Sequence, residues 1–117
     1  MITLKQVRQQ INEDEANWRL YLMDFVDDFR RQKTLGQVAE PFVRTGDKMD
    51  SLLASTTESL CDEIGIQAPG WLSEIPACKE PYFVSGLDGL KAFALLQSPL
   101  RFRIRKIFVL ENFLSRV

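Results

Sequence analysis

The sequence predicts an all-α fold, a single compact domain over residues 1–117 with about five helices and an ordered Pro-rich loop. Three observations carry this expectation. Large apolar residues recur at three- and four-residue spacing along most of the chain. Helix start and stop signals bracket those runs. Three of the five prolines, Pro69, Pro76 and Pro81, fall between residues 67 and 84 among Trp71, Leu72, Ile75, Tyr82 and Phe83. A flexible linker lacks such anchors.

In chain order, Thr3 followed by Gln6 forms a capping-box pattern, and Leu4, Val7 and Ile11 make an apolar stripe behind it. Asn12, with Glu15 three residues on, reads as the cap of a second helix over about 13–33. That helix carries Trp18, Leu22, Phe25 and Phe29 at helical spacing, flanked by Tyr21 and Val26. Arg30, Arg31 and Lys33 suit its negative C-terminal end, and Gly36 reads as its stop. The series Leu4, Ile11, Trp18, Phe25 also allows one long helix with a weak joint at 12–15. These elements form an N-terminal helical region of about 1–36.

Asp47 reads as the cap of a helix over about 48–64, with Met49, Leu52, Leu53, Leu60 and Ile64 on one face. Gly65 ends it, and Ile66 is placed for the apolar contact of a C-terminal glycine motif. After the Pro-rich loop, with a short helical turn near Trp71, Ser85 and Asp88 again resemble a capping box. The helix they open stops near Gln97, because Ser98 precedes a proline. Ser98 then reads as a cap, with Pro99 as the first helical residue.

The stretch 98–109 interleaves Arg101, Arg103, Arg105 and Lys106 with Phe102, Ile104, Ile107, Phe108 and Val109, all of which are expected to pack. Residues 100–105 alternate like a strand, with Arg101, Arg103 and Arg105 on one face. As a helix they would align Leu100 with Ile104 and Ile107 and turn Phe102 to the far side. No second strand-like run precedes the stretch. The reading is therefore a short helix at about 99–105, with 107–109 extended and a last helical turn over 111–116.

The apolar fraction is 45% and the charged fraction 26%, as in ordinary soluble domains. Net charge is −1, so no overall field draws in nucleic acid. Residues 47–90 carry eight acids and two bases, and residues 91–117 six bases and one acid. The basic end is therefore expected to fold over the acidic middle, with Arg103 or Arg105 pairing to carboxylates such as Asp62 or Glu63. Cys61 and Cys78 show no metal-ligand spacing and read as free buried thiols of a reducing cytoplasm. With no signal-peptide core and no 18-residue apolar run, the expected location is cytoplasmic, with no membrane partner.

The chain has no histidine, so acid–base or metal roles would fall to carboxylates, lysine or cysteine. Asp24 and Asp28 share a helix face and could hold a cation, but read rather as a solvated face, with Asp27 favourably spaced from Arg31. Ser59, Cys61 and Ser98 have no nearby base, and no phosphate loop or dinucleotide fingerprint is present. The sequence therefore points to no enzyme, no catalytic residue, no cofactor and no metal. If Arg101, Arg103, Arg105 and Lys106 all met phosphates, the salt slope would be only about −3.6. Nucleic acid is not expected as a partner of this chain alone.

Pro69 and Trp71, then Pro81, Tyr82 and Phe83, then Ser98, Pro99, Phe102, Arg103, Arg105, Ile107, Phe108 and Val109 form an ordered set of motifs. With the helix ending at Gly65, they resemble a family of small, largely uncharacterised bacterial proteins over about residues 45–117. Some members of that family are fused behind helix-turn-helix domains, in regulator or antitoxin-like settings. The resemblance implies a non-catalytic interaction module, the antitoxin-like or regulatory member of a bacterial two-protein system. It supplies no catalytic residues. The alternative is a nucleic-acid-associated regulator acting through the C-terminal arginines. The wide N-terminal stripe, with Trp18, Tyr21 and Phe25 as anchors, is the expected contact for a protein partner or a second copy.

Overall fold

Helix α3 (Lys48–Glu63) is the axis of the molecule. Every residue from Met49 to Glu58 is buried, so this helix is enclosed on all sides rather than along one stripe. Its small polar residues make that possible. Ser51 Oγ donates to the Pro76 carbonyl at 2.8 Å, and Thr57 Oγ1 to the Leu53 carbonyl at 2.9 Å. The structure, a computed structural model, describes residues 1–85 and 90–115. Among these there are five α-helices and a two-stranded sheet.

Helix α1 (Leu4–Glu13) starts at the predicted capping box. Thr3 Oγ1 accepts from Gln6 N at 3.2 Å, and Gln6 Oε1 accepts from Thr3 N at 3.0 Å. Leu4, Val7 and Ile11 face the core. The expected cap at Asn12 is corrected, because Asn12 lies inside α1. The break comes at Asp14 and a 3₁₀ turn at Glu15–Asn17, so α2 spans Trp18–Gln32 and the long-helix alternative falls. Asp14 holds the joint, accepting from Asn17 Nδ2 at 2.9 Å and the Tyr21 hydroxyl at 2.7 Å. Lys33, left-handed at φ 52°, ends α2 before Gly36. Its amide donates to the Phe29 carbonyl at 2.7 Å.

Two buried charge networks tie these helices together. Arg8 donates through Nε to Asp50 at 2.8 Å and through Nη2 to Asp47 at 3.1 Å, joining α1 to the start of α3. Asp28 accepts from Ile2 N at 2.8 Å, Gln37 Nε2 at 2.9 Å and Arg31 at 2.6 Å, joining α2 to the N-terminal residues. Asp28 is thus a buried structural carboxylate and not part of a solvated acidic face.

The predicted ends of α3 are both present. Asp47 accepts from Met49 N, and Gly65 sits at φ 73° with its amide on Asp62 and the Ile66 amide on Cys61 at 3.0 Å. Residues 67–84 then run across the core, with a 3₁₀ helix at Gly70–Glu74 and Leu72, Ile75 and Cys78 buried. Trp71 donates to the Val38 carbonyl at 3.0 Å and meets Phe42 edge-on.

The all-α expectation is incomplete. Strand β1 (Tyr82–Phe83) pairs in parallel with β2 (Ile107–Phe108), Tyr82 opposite Ile107 and Phe83 opposite Phe108. The extended partner that the sequence did not offer is this two-residue strand, too short to carry a periodicity. Helix α4 spans Lys91–Gln97, ending where expected; the Ser85–Asp88 capping box falls partly outside the described residues. Helix α5 is a single turn, Leu100–Arg103. Pro99, in extended conformation, is its cap, and Ser98 is not. The Ser98 hydroxyl instead donates to the Ala94 carbonyl and accepts from Val109 N at 2.8 Å, clamping the end of α4 to the chain after β2. Residues Glu111–Leu114 form turns rather than a helix.

Candidate interaction surface

The C-terminal arginines are sorted by α3. Glu58 and Asp62 stand four residues apart and so share a face of that helix. Arg101 and Arg105 are likewise four apart and meet them in reverse order. Arg101 holds Asp62 in a bidentate pair at 2.7 and 3.0 Å, and Arg105 is buried against Glu58. Arg105 also donates to Ser55 and to the carbonyls of Leu72 and Ile75. The expected pairing of a C-terminal arginine with the acidic middle is present, though through Glu58. Of the carboxylates expected for it, Asp62 takes Arg101 and Glu63 takes Arg30. The Arg101 guanidinium holds the Asp62 carboxyl below the usual carboxylate range.

This sorting sets the outward face of the segment. With Phe102 fully buried and Arg105 only 4% exposed, the turn presents Leu100 and Ile104 to water, at 71% and 55% exposure. Phe102 lies on the far side from Leu100 and Ile104, as the helical reading has it, and packs as expected, whereas Ile104, also expected to pack, is exposed. The physical reason is that Arg105 must reach Glu58, and a one-turn helix has no freedom to bury both sides. On α4, Ala94 is the buried residue, while Phe93 is 55% and Leu96 79% exposed. Arg103 joins the two helices: its guanidinium donates to the carbonyls of Leu95, Leu96 and Ser98 at 2.8 to 2.9 Å, capping the C-terminal end of α4.

The result is a bent, apolar and basic corner. Nine large apolar residues among the described ones are exposed, and five of them, Phe93, Leu95, Leu96, Leu100 and Ile104, lie within this one stretch. The others, Met1, Leu20, Leu35 and Val43, are scattered over four segments and need no special explanation. Arg103, on the end of α4, and Lys106, two residues after Ile104, are exposed, and neither pairs with a carboxylate among the described residues. Sequence reasoning missed this surface. The available signal was α4 itself, a seven-residue helix apolar on both sides, which cannot bury them all.

The N-terminal anchors divide. Trp18 and Tyr21 are partly buried against the core, with Arg19 5.1 Å over the Trp18 ring. Phe25 is corrected: it is fully buried and stacked on Phe29 at 5.9 Å, so no partner can touch it. Arg105, counted with the basic segment, is corrected likewise, because its charge is spent on Glu58.

A cleft of about 780 Å³ opens between the start of α3 and residues 76–82. Arg44, Asp47, Lys48, Cys78 and Tyr82 line it, with Lys48 Nζ 4.5 Å over the Tyr82 ring. Burial pushes the Cys78 thiol up, and that of Cys61 to about 11, so both keep their protons at neutral pH. Both cysteines are free and buried. Among the described residues, no group of three His, Cys, Asp or Glu side chains could hold a metal ion, and no helix is long and apolar enough to cross a membrane.

The fold and this corner define a mostly helical domain with a small parallel sheet and one concentrated apolar surface. No protein-family model, no curated protein and no solved structure matches the chain.

Proposed function

We propose that this protein is a non-catalytic, cytoplasmic protein-interaction module. The observation that carries the reading is the concentration of exposed apolar side chains within residues 93–104, five of the nine large ones exposed among the described residues, since gathered exposed apolar surface on a folded domain marks a site for another chain. A regulatory or antitoxin-like role in a bacterial two-protein system rests on the resemblance of residues 45–117 alone. Trp18 and Tyr21, half-exposed on α2, offer a second and smaller contact for a partner or a second copy.

The nucleic-acid alternative is weakened by the ion pairs of the C-terminal segment. Arg101 and Arg105 are engaged with Asp62 and Glu58, which leaves Arg103 and Lys106. Two phosphate contacts give a salt slope of only about −1.8, and Phe93 is the one exposed aromatic ring among the described residues on which a base could stack.

Affinity purification of the full chain from its own cells, with and without nuclease, tests the two readings. A stoichiometric protein partner retained after nuclease treatment is the expected result. Recovery that depends on nucleic acid, with affinity falling steeply between 50 and 200 mM salt, would replace it with the alternative.

A further inference from the structure

Resting on the interaction-module reading, the geometry points to the chemistry of the partner element: we infer that the α4–α5 corner docks an acidic amphipathic helix of another protein. Charge complementarity selects the sign. Between residues 90 and 110 the chain holds five cations and no acid. Two are neutralised internally by Glu58 and Asp62, while Arg103, seated on the end of α4, and Lys106, two residues after Ile104, stand exposed without a carboxylate among the described residues. A docked carboxylate there meets a guanidinium already held in place by three backbone carbonyls, so little side-chain freedom is lost on pairing.

Backbone chemistry selects the form. Both elements of the corner are helical, so an extended peptide finds no open strand edge and gains no ladder hydrogen bonds. A helix satisfies its own backbone and brings only side chains. Phe93 and Leu96 stand three apart on α4, and Leu100 and Ile104 four apart around α5, the spacings at which side-chain ridges of two helices interlock. Leu96 and Leu100, the two most exposed of the five, flank the Ser98–Pro99 bend and would be the central anchors.

The test uses the full chain, labelled for amide NMR, and three probes. The first is an 18-residue helical peptide with leucine at positions i, i+3, i+4 and i+7 and glutamate elsewhere on its polar face. The second has lysine in place of each glutamate, and the third is phosphatidylglycerol vesicles. The expected result is that the glutamate peptide shifts amides of residues 91–106, binding at least tenfold tighter than the lysine peptide. The double variant L96S/L100S, altering exposed side chains only, should weaken that binding at least tenfold with an unchanged spectrum elsewhere. Lys106→Glu should weaken it severalfold. Equal binding of the two peptides, shifts confined to residues outside 91–106, or no shifts overturns the inference. So does vesicle binding, or self-association, that L96S/L100S abolishes. A native partner that co-purifies undiminished with L96S/L100S would leave the interaction module standing and this docking surface refuted.

Discussion

Arg105 and Glu58, like Arg8 and Asp50, form an ion pair sensitive to single substitution, because both partners are nearly out of contact with water. Removing one leaves the other charged and buried, which costs about 3–5 kcal/mol, whereas replacing both with apolar residues of similar size costs far less. Chemical denaturation of Glu58→Ala, Arg105→Met and the Glu58→Leu/Arg105→Met double variant checks this; the double variant should be more stable than either single one. Asp28 gives the pH dependence. Its carboxyl is held below the usual range chiefly by the Ile2 amide, with Arg31 adding to it. A carboxyl with a lower pKa folded than unfolded contributes stability that is full above its unfolded value, about 3.9, and is lost as pH falls through the folded one. The urea midpoint should therefore stay level above about pH 5 and drop below about pH 4. In Asp28→Asn the midpoint should be lower at pH 7 and the acid drop shallower. The partner of Arg105 was only half legible in the sequence. The charge imbalance between 47–90 and 91–117 announces that pairing occurs, but choosing Glu58 needs the register of α5 against α3, which no local pattern encodes.

Elements whose ends carry their own chemistry were the readable ones. The Thr3–Gln6 box, the Asp47 cap and the Gly65 stop all satisfy backbone groups within a few residues, so sequence proximity is structural proximity. Gly65 offers a direct check. An alanine there must adopt φ 73° and should cost about 1–2 kcal/mol. Gly70→Ala, where a Cβ meets nothing within 4 Å and the backbone is not left-handed, should stay within about 0.5 kcal/mol of the parent. Urea midpoints of the two variants, measured side by side, decide it. The opposite case is the β1–β2 pair. Each strand has two residues, and the partner of Ile107 is Tyr82, 25 positions earlier, so neither periodicity nor turn chemistry marks it. The α4–α5 corner was misread for a related reason. A one-turn helix has no stripe, and its inward face is chosen by what Phe102 and Arg105 find across the core.

At the scale of the molecule, the radius of gyration is 13.3 Å, close to the roughly 13 Å of a single compact domain of this length. The final third closes that body. Phe102, Ile107 and Val109 belong to the core, and Arg105 completes the carbonyls of Leu72 and Ile75. A chain cut after Gln97 should lose its cooperative unfolding transition while keeping part of its helical circular dichroism; a sharp transition in that fragment would show that the N-terminal helices form a core by themselves. The reach of Arg105 has a further consequence, in time rather than space. It lies 47 residues after Glu58. At about 5–20 residues per second of synthesis, α3 exists for about 2–10 s before its guanidinium partner is made. Throughout that interval the Glu58 carboxylate lacks the guanidinium that neutralises it in the folded chain.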